Sequence, residues 1–169
     1  YSANTSFTAI KALSDEAVKQ KKLHKIVIMI ELGELREGIM RENLIEFYKN
    51  VFELPNIEIV GLGTNLGCMY GIEPTYDKMI QLSLYKQLIE ARFDRKLDLI
   101  SGGSSITLPL VKKKFPKSVN HFRIGESAFL GLSPLDGKKF ETLSTDAFEY
   151  NASIIELEQK DSVPDGTLT

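Results

Sequence analysis

The feature that most constrains the fold is an alternation of short apolar runs with longer segments of helical periodicity. Residues 25–31 form a β-branched, apolar run without the polar alternation of a half-exposed strand. Such a run is typical of a strand covered on both faces, as in a parallel sheet. Comparable strands are predicted at residues 57–62, 97–100 and 119–123. Since helical segments separate these strands, the pattern predicts βαβ crossovers and a parallel α/β sheet.

The helical segments are marked by apolar residues that recur every three or four positions. Helices are predicted over residues 6–22, 44–52, 106–114 and 125–130, with a further helix beginning after Thr75. The last part of the chain is different, because a polar stretch at residues 133–145 is followed by strand-like alternation over residues 148–155. We therefore predict a domain boundary near residue 132 and the first strand of a β-rich domain beyond it.

Composition narrows the class of protein. With 43% hydrophobic and 26% charged residues, the chain of 169 residues is typical of a globular protein with a sizeable core. The formal net charge of −2 provides no general attraction to nucleic acid or to an anionic membrane surface. Cys68 is the single cysteine, which excludes an intrachain disulfide and indicates a reducing, cytoplasmic compartment. Two separated histidines and one cysteine do not form a metal-binding pattern, so no metal is expected.

The polar and glycine-rich clusters all follow predicted strands, at residues 31–38, 61–67, 101–105 and 123–126. Ligands bind at the carboxyl ends of parallel strands in both barrels and open doubly wound sheets. Four βα units are too few to close an eight-stranded barrel, which takes about 250 residues. The residues thus predict a ligand site at this edge of the sheet and leave both architectures open.

Two neighbouring strand ends have the residues of a phosphate site. Residues 101–105 open a short helix, so backbone N–H groups can approach an anion, and the hydroxyls of Ser104 and Ser105 can add donors. The next strand ends in Arg123, followed by Gly125, which resembles the phosphate corner of many eight-stranded barrels. The alternatives are an ordinary βα turn with a serine cap and a surface ion pair for Arg123.

Three further strand-end residues are weaker candidates. Arg36 can hold an oxyanion with its planar fork of donors, and Asn65 can face a ligand from a tightly turned loop. Arg36 alone is weak evidence, and the competing interpretations are a loop hydrogen bond for Asn65 and a packed or hydrogen-bonded ring for His121. Cys68 lacks an activating neighbour in sequence, so a packed thiol is expected.

Four motifs occur in order and carry a family resemblance. They read LGELREG at residues 32–38, GLGTNLGC at 61–68, SGGSS at 101–105 and VNHFRIGE at 119–126. This series resembles the pyridoxal-phosphate-dependent alanine racemase-like family of fold type III, and most closely its ornithine racemase branch. The tail at residues 162–164 is also similar to that branch.

The resemblance implies a fold and a domain division. The family has an N-terminal (β/α)₈ barrel of the TIM type and a C-terminal β domain. Residues 1–132 are then the second half of a pyridoxal-phosphate-binding barrel, with its last four strands. Residues 133–169 are the linker and first strand of the β-rich C-terminal domain. By this resemblance the chain is a fragment of a longer protein.

On the phosphate side of the cofactor, the resemblance implies four residues. Ser105 matches the phosphate-binding serine of the family, with Ser104 beside it. The backbone N–H groups of Gly125 and Glu126 match the other phosphate donors. The cofactor is pyridoxal 5'-phosphate.

On the ring side, the resemblance implies three more. Arg36 matches the arginine near the phenolic oxygen of the cofactor, and Asn65 matches a position packed on the pyridine ring. Arg123 matches the arginine that hydrogen-bonds the ring nitrogen. The Schiff-base lysine of the family lies in the first half of the barrel, so no catalytic residue is assigned here and the chain alone is expected to be inactive.

The implied function is an amino-acid racemase that removes a proton at Cα and returns it, with ornithine or another amino acid as substrate and a homodimer as the assembly. Alanine racemases take a tyrosine base from the partner's β domain, but residues 162–167 contain no tyrosine, which leaves the second base open. Two alternatives remain. One is a pyridoxal-phosphate carrier without turnover, and the other is a barrel enzyme acting on a phosphorylated metabolite, for which Glu31 and Glu126 are the candidate acid/base pair.

Overall fold

The structure is a computed structural model, and it describes residues 1–113, 115–160 and 166. The four strands are β1 (Ser2–Asn4), β2 (His24–Met29), β3 (Ile57–Gly63) and β4 (Leu99–Ser101). The five α-helices are α1 (Phe7–Lys19), α2 (Leu44–Phe52), α3 (Tyr76–Phe93), α4 (Leu108–Val111) and α5 (Glu126–Leu130). Two 3₁₀ turns, Arg41–Asn43 and Ser105–Thr107, directly precede α2 and α4.

The four strands form one parallel sheet in which the spatial order follows the chain order. A helix lies between each pair of successive strands, so the predicted parallel α/β sheet is confirmed. β1 was not predicted, because three residues are too few to show a hydrophobic pattern.

The sequence predicts a full strand over residues 119–123, and this prediction is wrong in extent. Only His121 pairs with the sheet, through a parallel bridge to Ser101. The cause is Asn120, whose side-chain Oδ1 accepts a hydrogen bond from the backbone N–H of Ile100 at 2.9 Å. The backbone N–H of Ile100 thus bonds to a side chain where a β ladder would supply a main-chain carbonyl. If this bridge is counted with β1–β4, the sheet has five neighbouring parallel segments, whereas the sequence predicts four strands.

The two faces of the sheet bury different residues. Along β2, Ile26 and Ile28 belong to the large core that the sheet shares with the helices. Val27 and Met29 belong to a small cluster with Val60 on the other face. All five side chains are buried. Because β2 buries residues on both of its faces, its sequence is a continuous apolar run.

Local capping fixes where the longer helices begin and end. The hydroxyl of Ser6 accepts from the backbone N–H of Ala9 at 3.4 Å, and that of Thr75 accepts from Lys78 at 3.3 Å. α3 ends at Phe93, and the next residue, Asp94, has a left-handed φ of 51° that stops the helix. The starts of α1 and α3 therefore follow capping signals that are present in the sequence.

Beyond α5 the chain has little regular structure. Leu132 and Lys139 form an antiparallel bridge, and the ring of Phe148 meets Phe129 edge-on at 5.0 Å. The strand predicted over residues 148–155 is not formed, because these residues have no regular secondary structure and their side chains are exposed. The prediction of the strand is therefore wrong in this structure.

Two further points concern the ends of the chain and its helices. The assignment of residues 133–169 to a linker and a second domain stays a prediction, and the tail motif at residues 162–164 lies outside the described residues. Across the described part of the chain, no helix combines the length and the apolar character needed to cross a membrane.

Candidate functional site

The seven residues predicted to form a site line one cavity of about 310 Å³. They are Arg36, Asn65, Ser104, Ser105, Arg123, Gly125 and Glu126. The lining is completed by Gly67, Cys68, Ile106 and Pro134. Four strand-end loops contribute, because the carboxyl ends of parallel strands meet at one edge of the sheet.

The loop after β2 is closed back onto its own strand. The backbone N–H of Glu31 donates to the carbonyl of Ile39 at 3.0 Å. Gly38 permits this closure, since its φ is +140° and an added Cβ would lie 2.4 Å from the backbone nitrogen of Glu31. The tip of the loop, with Arg36 and Glu37, is therefore held over the end of the strand.

Two arginines share one carboxylate at the cavity. Nη2 of Arg123 donates to Oε1 of Glu37 at 2.5 Å, and Nη1 of Arg36 lies 3.6 Å from the same oxygen. The side chains of Arg123 and Glu37 are 33% and 26% exposed. The ion pair considered for Arg123 therefore exists, but at the cavity wall, where the shared carboxylate reduces repulsion between two cations.

The cavity contains polar atoms without a partner. In the described part of the chain, four buried side-chain N or O atoms have no hydrogen-bond partner, and two of these, Nε of Arg123 and Oδ1 of Asn65, belong to lining residues. A buried polar group left unpaired costs about 1–3 kcal/mol, so a bound partner for these atoms would stabilise the site. The residues present thus fit a polar ligand that offers an acceptor to Arg123.

Ser105 organises the opposite side of the cavity. Its side chain is buried, and its Oγ accepts hydrogen bonds from the backbone N–H groups of Gly125 at 3.3 Å and Ser127 at 3.1 Å. Ser105 therefore ties the 3₁₀ turn after β4 to the start of α5. Both N–H groups are satisfied by Ser105, whose own O–H, together with the hydroxyl of Ser104, is a donor that suits the oxygens of a phosphate.

The glycines of this turn allow a close approach. A Cβ on Gly102 would lie 2.7 Å from Cγ1 of Val119, and Gly103 has a φ of +106°. The carbonyl of Gly103 accepts from the backbone N–H of Arg123 at 2.9 Å. The turn after β4 thus fixes the main chain of Arg123 directly.

A buried glutamate fixes another wall of the cavity. Glu34 has no exposed surface, and its carboxylate accepts from the backbone N–H groups of Gly67 at 3.0 Å, Cys68 at 2.8 Å, Tyr70 at 2.8 Å and Ile72 at 3.0 Å. Burial by itself raises the pKa of the carboxyl group, but the four bonds outweigh it and lower the pKa of Glu34 to about 2. Glu34 therefore holds this wall as an anion.

The remaining candidates divide between the interpretations considered. Nδ1 of His121 lies 3.0 Å from Oγ of Ser101, as expected for a hydrogen-bonded ring. Cys68 is exposed at the cavity, so the expectation of a packed thiol is wrong. Glu31 lines a different cavity from Glu126, and the structure does not bring this carboxylate pair together.

Lysine and metal ligands are the remaining groups of chemical interest. Within the described residues, the cavity lining contains no lysine, and no group of three or more His, Cys, Asp or Glu side chains could hold a metal ion. The ammonium group of Lys78 instead donates to the carbonyl of Leu32 at 2.5 Å, outside this lining.

The chain matches the family model for the alanine racemase N-terminal domain over residues 5–134. It is 35% identical over 169 residues to an ornithine racemase of Acetoanaerobium sticklandii, covering 99% of this chain and 48% of that protein. It is 34% identical over 157 residues to a lysine racemase of Thermotoga maritima, covering 92% and 44%. The chain therefore spans about half the length of these curated relatives.

Solved structures show the same fold at lower identity. Alanine racemase of Corynebacterium glutamicum superposes with a TM-score of 0.59 at 21% identity, over 81% of this chain and 37% of that chain. PipY of Synechococcus elongatus, solved without PLP, gives 0.62 at 17% identity, over 74% and 58%. These identities support the fold alone, and they confirm the predicted class, a part of a TIM-type barrel.

The region matched by the family model includes β2, β3 and β4 of the parallel sheet and all seven lining residues that were predicted. Both curated relatives are amino-acid racemases, which agrees with the branch indicated by the four sequence motifs. The chain belongs to the alanine racemase N-terminal domain family.

Proposed function

We propose that this chain supplies the phosphate and ring contacts for pyridoxal 5'-phosphate in an amino-acid racemase. The observation that carries the proposal is the single cavity that joins Arg36, Asn65, Ser105 and Arg123, with two unpaired buried polar atoms in its wall. The similarity to an ornithine racemase and a lysine racemase supports the reaction class.

The phosphate end of the cofactor is assigned to the corner built by Ser105. Its hydroxyl, the Ser104 hydroxyl and the backbone N–H groups of Gly125 and Glu126 are the donors in this proposal. The hydroxyl of Ser105 already faces two backbone N–H groups, so a phosphate oxygen would join an existing network of donors.

The ring end is assigned to the arginine side of the cavity. When bound, pyridoxal phosphate supplies the electron withdrawal that makes the substrate's Cα–H acidic. Arg123 donates a hydrogen bond at the ring nitrogen and keeps its own proton, because a guanidinium group does not deprotonate in proteins. Arg36 orients the phenolic side, and Asn65 packs on the ring face.

The rest of the racemase site is proposed to lie outside this chain. The Schiff-base lysine, the second base and the partner subunit of a homodimer belong to this part of the proposal. A basic amino acid, ornithine or lysine, is the favoured substrate class by similarity to the two curated relatives. The chain by itself is proposed to be inactive.

The carrier alternative is not favoured. The strand predicted at residues 148–155 no longer argues against a carrier, so the preference for a racemase rests on the curated relatives and the cavity.

The test is hydrogen exchange at Cα in D₂O. The complete protein would be incubated with pyridoxal phosphate and a panel of L-amino acids, followed by NMR and chiral chromatography. Deuterium at Cα with appearance of the D-enantiomer is the expected result, first for ornithine and lysine. A protein that binds the cofactor and exchanges no member of the panel would instead support the carrier.

A further inference from the structure

We propose that Glu37 is a positioning residue that orients the Arg123 guanidinium, so that its Nε–H remains the donor offered to an aromatic nitrogen in the cavity. This inference rests on the proposed function, because the aromatic nitrogen is that of the bound pyridoxal phosphate. It concerns a residue that the sequence motifs did not assign to the cofactor.

The first observation is the pair itself. Nη2 of Arg123 and Oε1 of Glu37 are 2.5 Å apart. The side chain of Glu37 is about three-quarters buried, and that of Arg123 is about two-thirds buried. A guanidinium group is planar and rigid, so holding one terminal nitrogen limits the directions of the other donors. One carboxylate therefore restricts where the remaining N–H groups of Arg123 point.

The second observation is the unpaired donor. Nε of Arg123 is buried and has no hydrogen-bond partner among the described residues. Arg123 lines the proposed cofactor cavity and also a second one beside Ser101 and His121, and we take a ligand in the first cavity as the partner of this nitrogen. A guanidinium group carries only donors, so the ligand atom that pairs with Nε must be an acceptor.

The third observation is that both ends of the pair are fixed by separate pieces of backbone. Arg123 is anchored by its own N–H on the carbonyl of Gly103 at 2.9 Å. Glu37 lies in the closed loop after β2, next to Gly38 at φ +140°. The two residues are 86 positions apart, so the contact exists only when the sheet has brought the two strand ends together.

Charge gives the pair a second consequence. Oε1 of Glu37 also lies 3.6 Å from Nη1 of Arg36. Removing the carboxylate would leave two cations facing each other and would free both to turn toward an anion. Loss of Glu37 should therefore weaken recognition of the ring nitrogen while leaving or improving the attraction for a phosphate group.

These opposite effects define the experiment. Binding to the complete protein would be measured by calorimetry for three probes: pyridoxamine phosphate, its analogue with carbon in place of the ring nitrogen, and inorganic phosphate. Pyridoxamine phosphate lacks the aldehyde, so a lysine cannot capture it covalently. Wild type would be compared with Glu37→Gln and with Glu42→Gln, which removes a carboxylate from an exposed Glu42–Arg41 pair at 3.3 Å outside this cavity.

For Glu37→Gln, pyridoxamine phosphate should bind roughly ten- to a hundredfold more weakly, the size expected for a charge-assisted hydrogen bond. The carbon analogue and inorganic phosphate should bind as in wild type or more tightly. Glu42→Gln should match wild type for all three probes. Retained phosphate binding also shows that the substituted protein is folded at the site.

The contrary results are distinct. Equal losses for both ring probes in Glu37→Gln, or losses that extend to inorganic phosphate, would show a general structural role and overturn the inference. Equal affinity of wild type for the two ring probes would show that no donor binds the ring nitrogen, and this result would also overturn the inference. If wild type binds inorganic phosphate but neither ring probe, the proposed function itself fails and the inference with it.

Discussion

Ser105 is the residue on which the phosphate side of the cavity most directly depends. Its hydroxyl accepts from two backbone N–H groups, those of Gly125 and Ser127, within a side chain that is only 4% exposed. Removing the hydroxyl would leave both donors without this acceptor, and buried donors without partners cost about 1–3 kcal/mol. A single atom thus supports both the turn after β4 and the start of α5.

We therefore expect Ser105→Ala to lower the free energy of unfolding by about 1–3 kcal/mol and to weaken binding of pyridoxal phosphate. Urea unfolding and a cofactor titration would measure the two effects. Ser83→Ala is the matched control, because Ser83 is buried and hydrogen-bonded to Ser118 at 2.6 Å but lies outside the cavity. Reduced cofactor affinity in both variants would contradict a specific role for Ser105.

The residues that could be predicted share one property, which is a position in a local motif just after a strand. Arg36, Asn65 and Arg123 were predicted in this way, and the structure places them at one cavity. Glu34 and Glu37 were missed, because their roles depend on contacts across 33 and 86 positions. No local pattern shows which distant backbone N–H or side chain a carboxylate will meet.

At the scale of elements, the loop after β2 shows how a site is held by backbone geometry. We expect Gly38→Ala to lower the free energy of unfolding by about 2–4 kcal/mol, because the added methyl group would meet backbone atoms and the residue would keep an unfavourable φ. The nearest of these atoms, the nitrogen of Glu31, would lie 2.4 Å from the new Cβ. Chemical denaturation would measure the loss.

A comparison with Gly137→Ala separates the cost of an unfavourable φ from the cost of a steric clash. Gly137 also has a positive φ, +68°, but a Cβ there would meet nothing within 4 Å. Only the conformational cost, about 1 kcal/mol, should then remain. Equal destabilisation by the two substitutions would show that the close packing of Gly38 on Glu31 contributes little.

The segment from Gly67 to Ile72 depends on charge rather than on backbone geometry. The pKa of Glu34 is about 2 in the folded chain, against 4.5 for a free glutamate, so the unfolded state binds more protons between these values. Stability from Glu34 is therefore fully present above about pH 4.5 and is lost as the pH falls toward 2. Acid should loosen this wall of the cavity.

We expect Glu34→Gln to be less stable than wild type at neutral pH and to lose less further stability between about pH 4.5 and pH 2. Thermal unfolding followed across this range would give both quantities. Glu58→Gln is the control, because Glu58 forms a partly exposed pair with Lys25 at 3.2 Å, and such pairs contribute little. A steeper acid dependence in Glu34→Gln than in wild type would refute the role assigned to Glu34.

Elements with a clear period could be predicted, and short ones could not. β2 and β3 are long enough to show buried apolar runs, and their predicted positions agree with the structure to within two residues. The three residues of β1 give no such signal. At residues 119–123 only Val119 and Phe122 are apolar, and the side chain of Asn120 takes a hydrogen bond of the ladder from the backbone N–H of Ile100.

At the scale of the whole molecule, the described sheet is open. β1 and the bridge at His121 lie at its two ends, and no described strand joins them. The face opposite the helices buries only a small cluster, Val27, Met29 and Val60 with Leu99 beside it. The length of the sequence did not distinguish an open sheet from part of a barrel. The family motifs and the comparisons identified the fold as part of a barrel.

The exposed apolar side chains after α5 argue for a further surface that covers them. Phe148, Tyr150, Ile154, Ile155 and Leu157 are each at least 65% exposed. Large exposed apolar patches usually mark contacts with other protein surfaces, and the proposed racemase offers two, its β domain and its second subunit. We expect the complete protein to be a dimer by light scattering, with slow backbone hydrogen exchange in this segment and fast exchange in the isolated chain. A monomeric mass over a wide concentration range, with fast exchange in both proteins, would contradict this arrangement, because nothing would then cover these side chains.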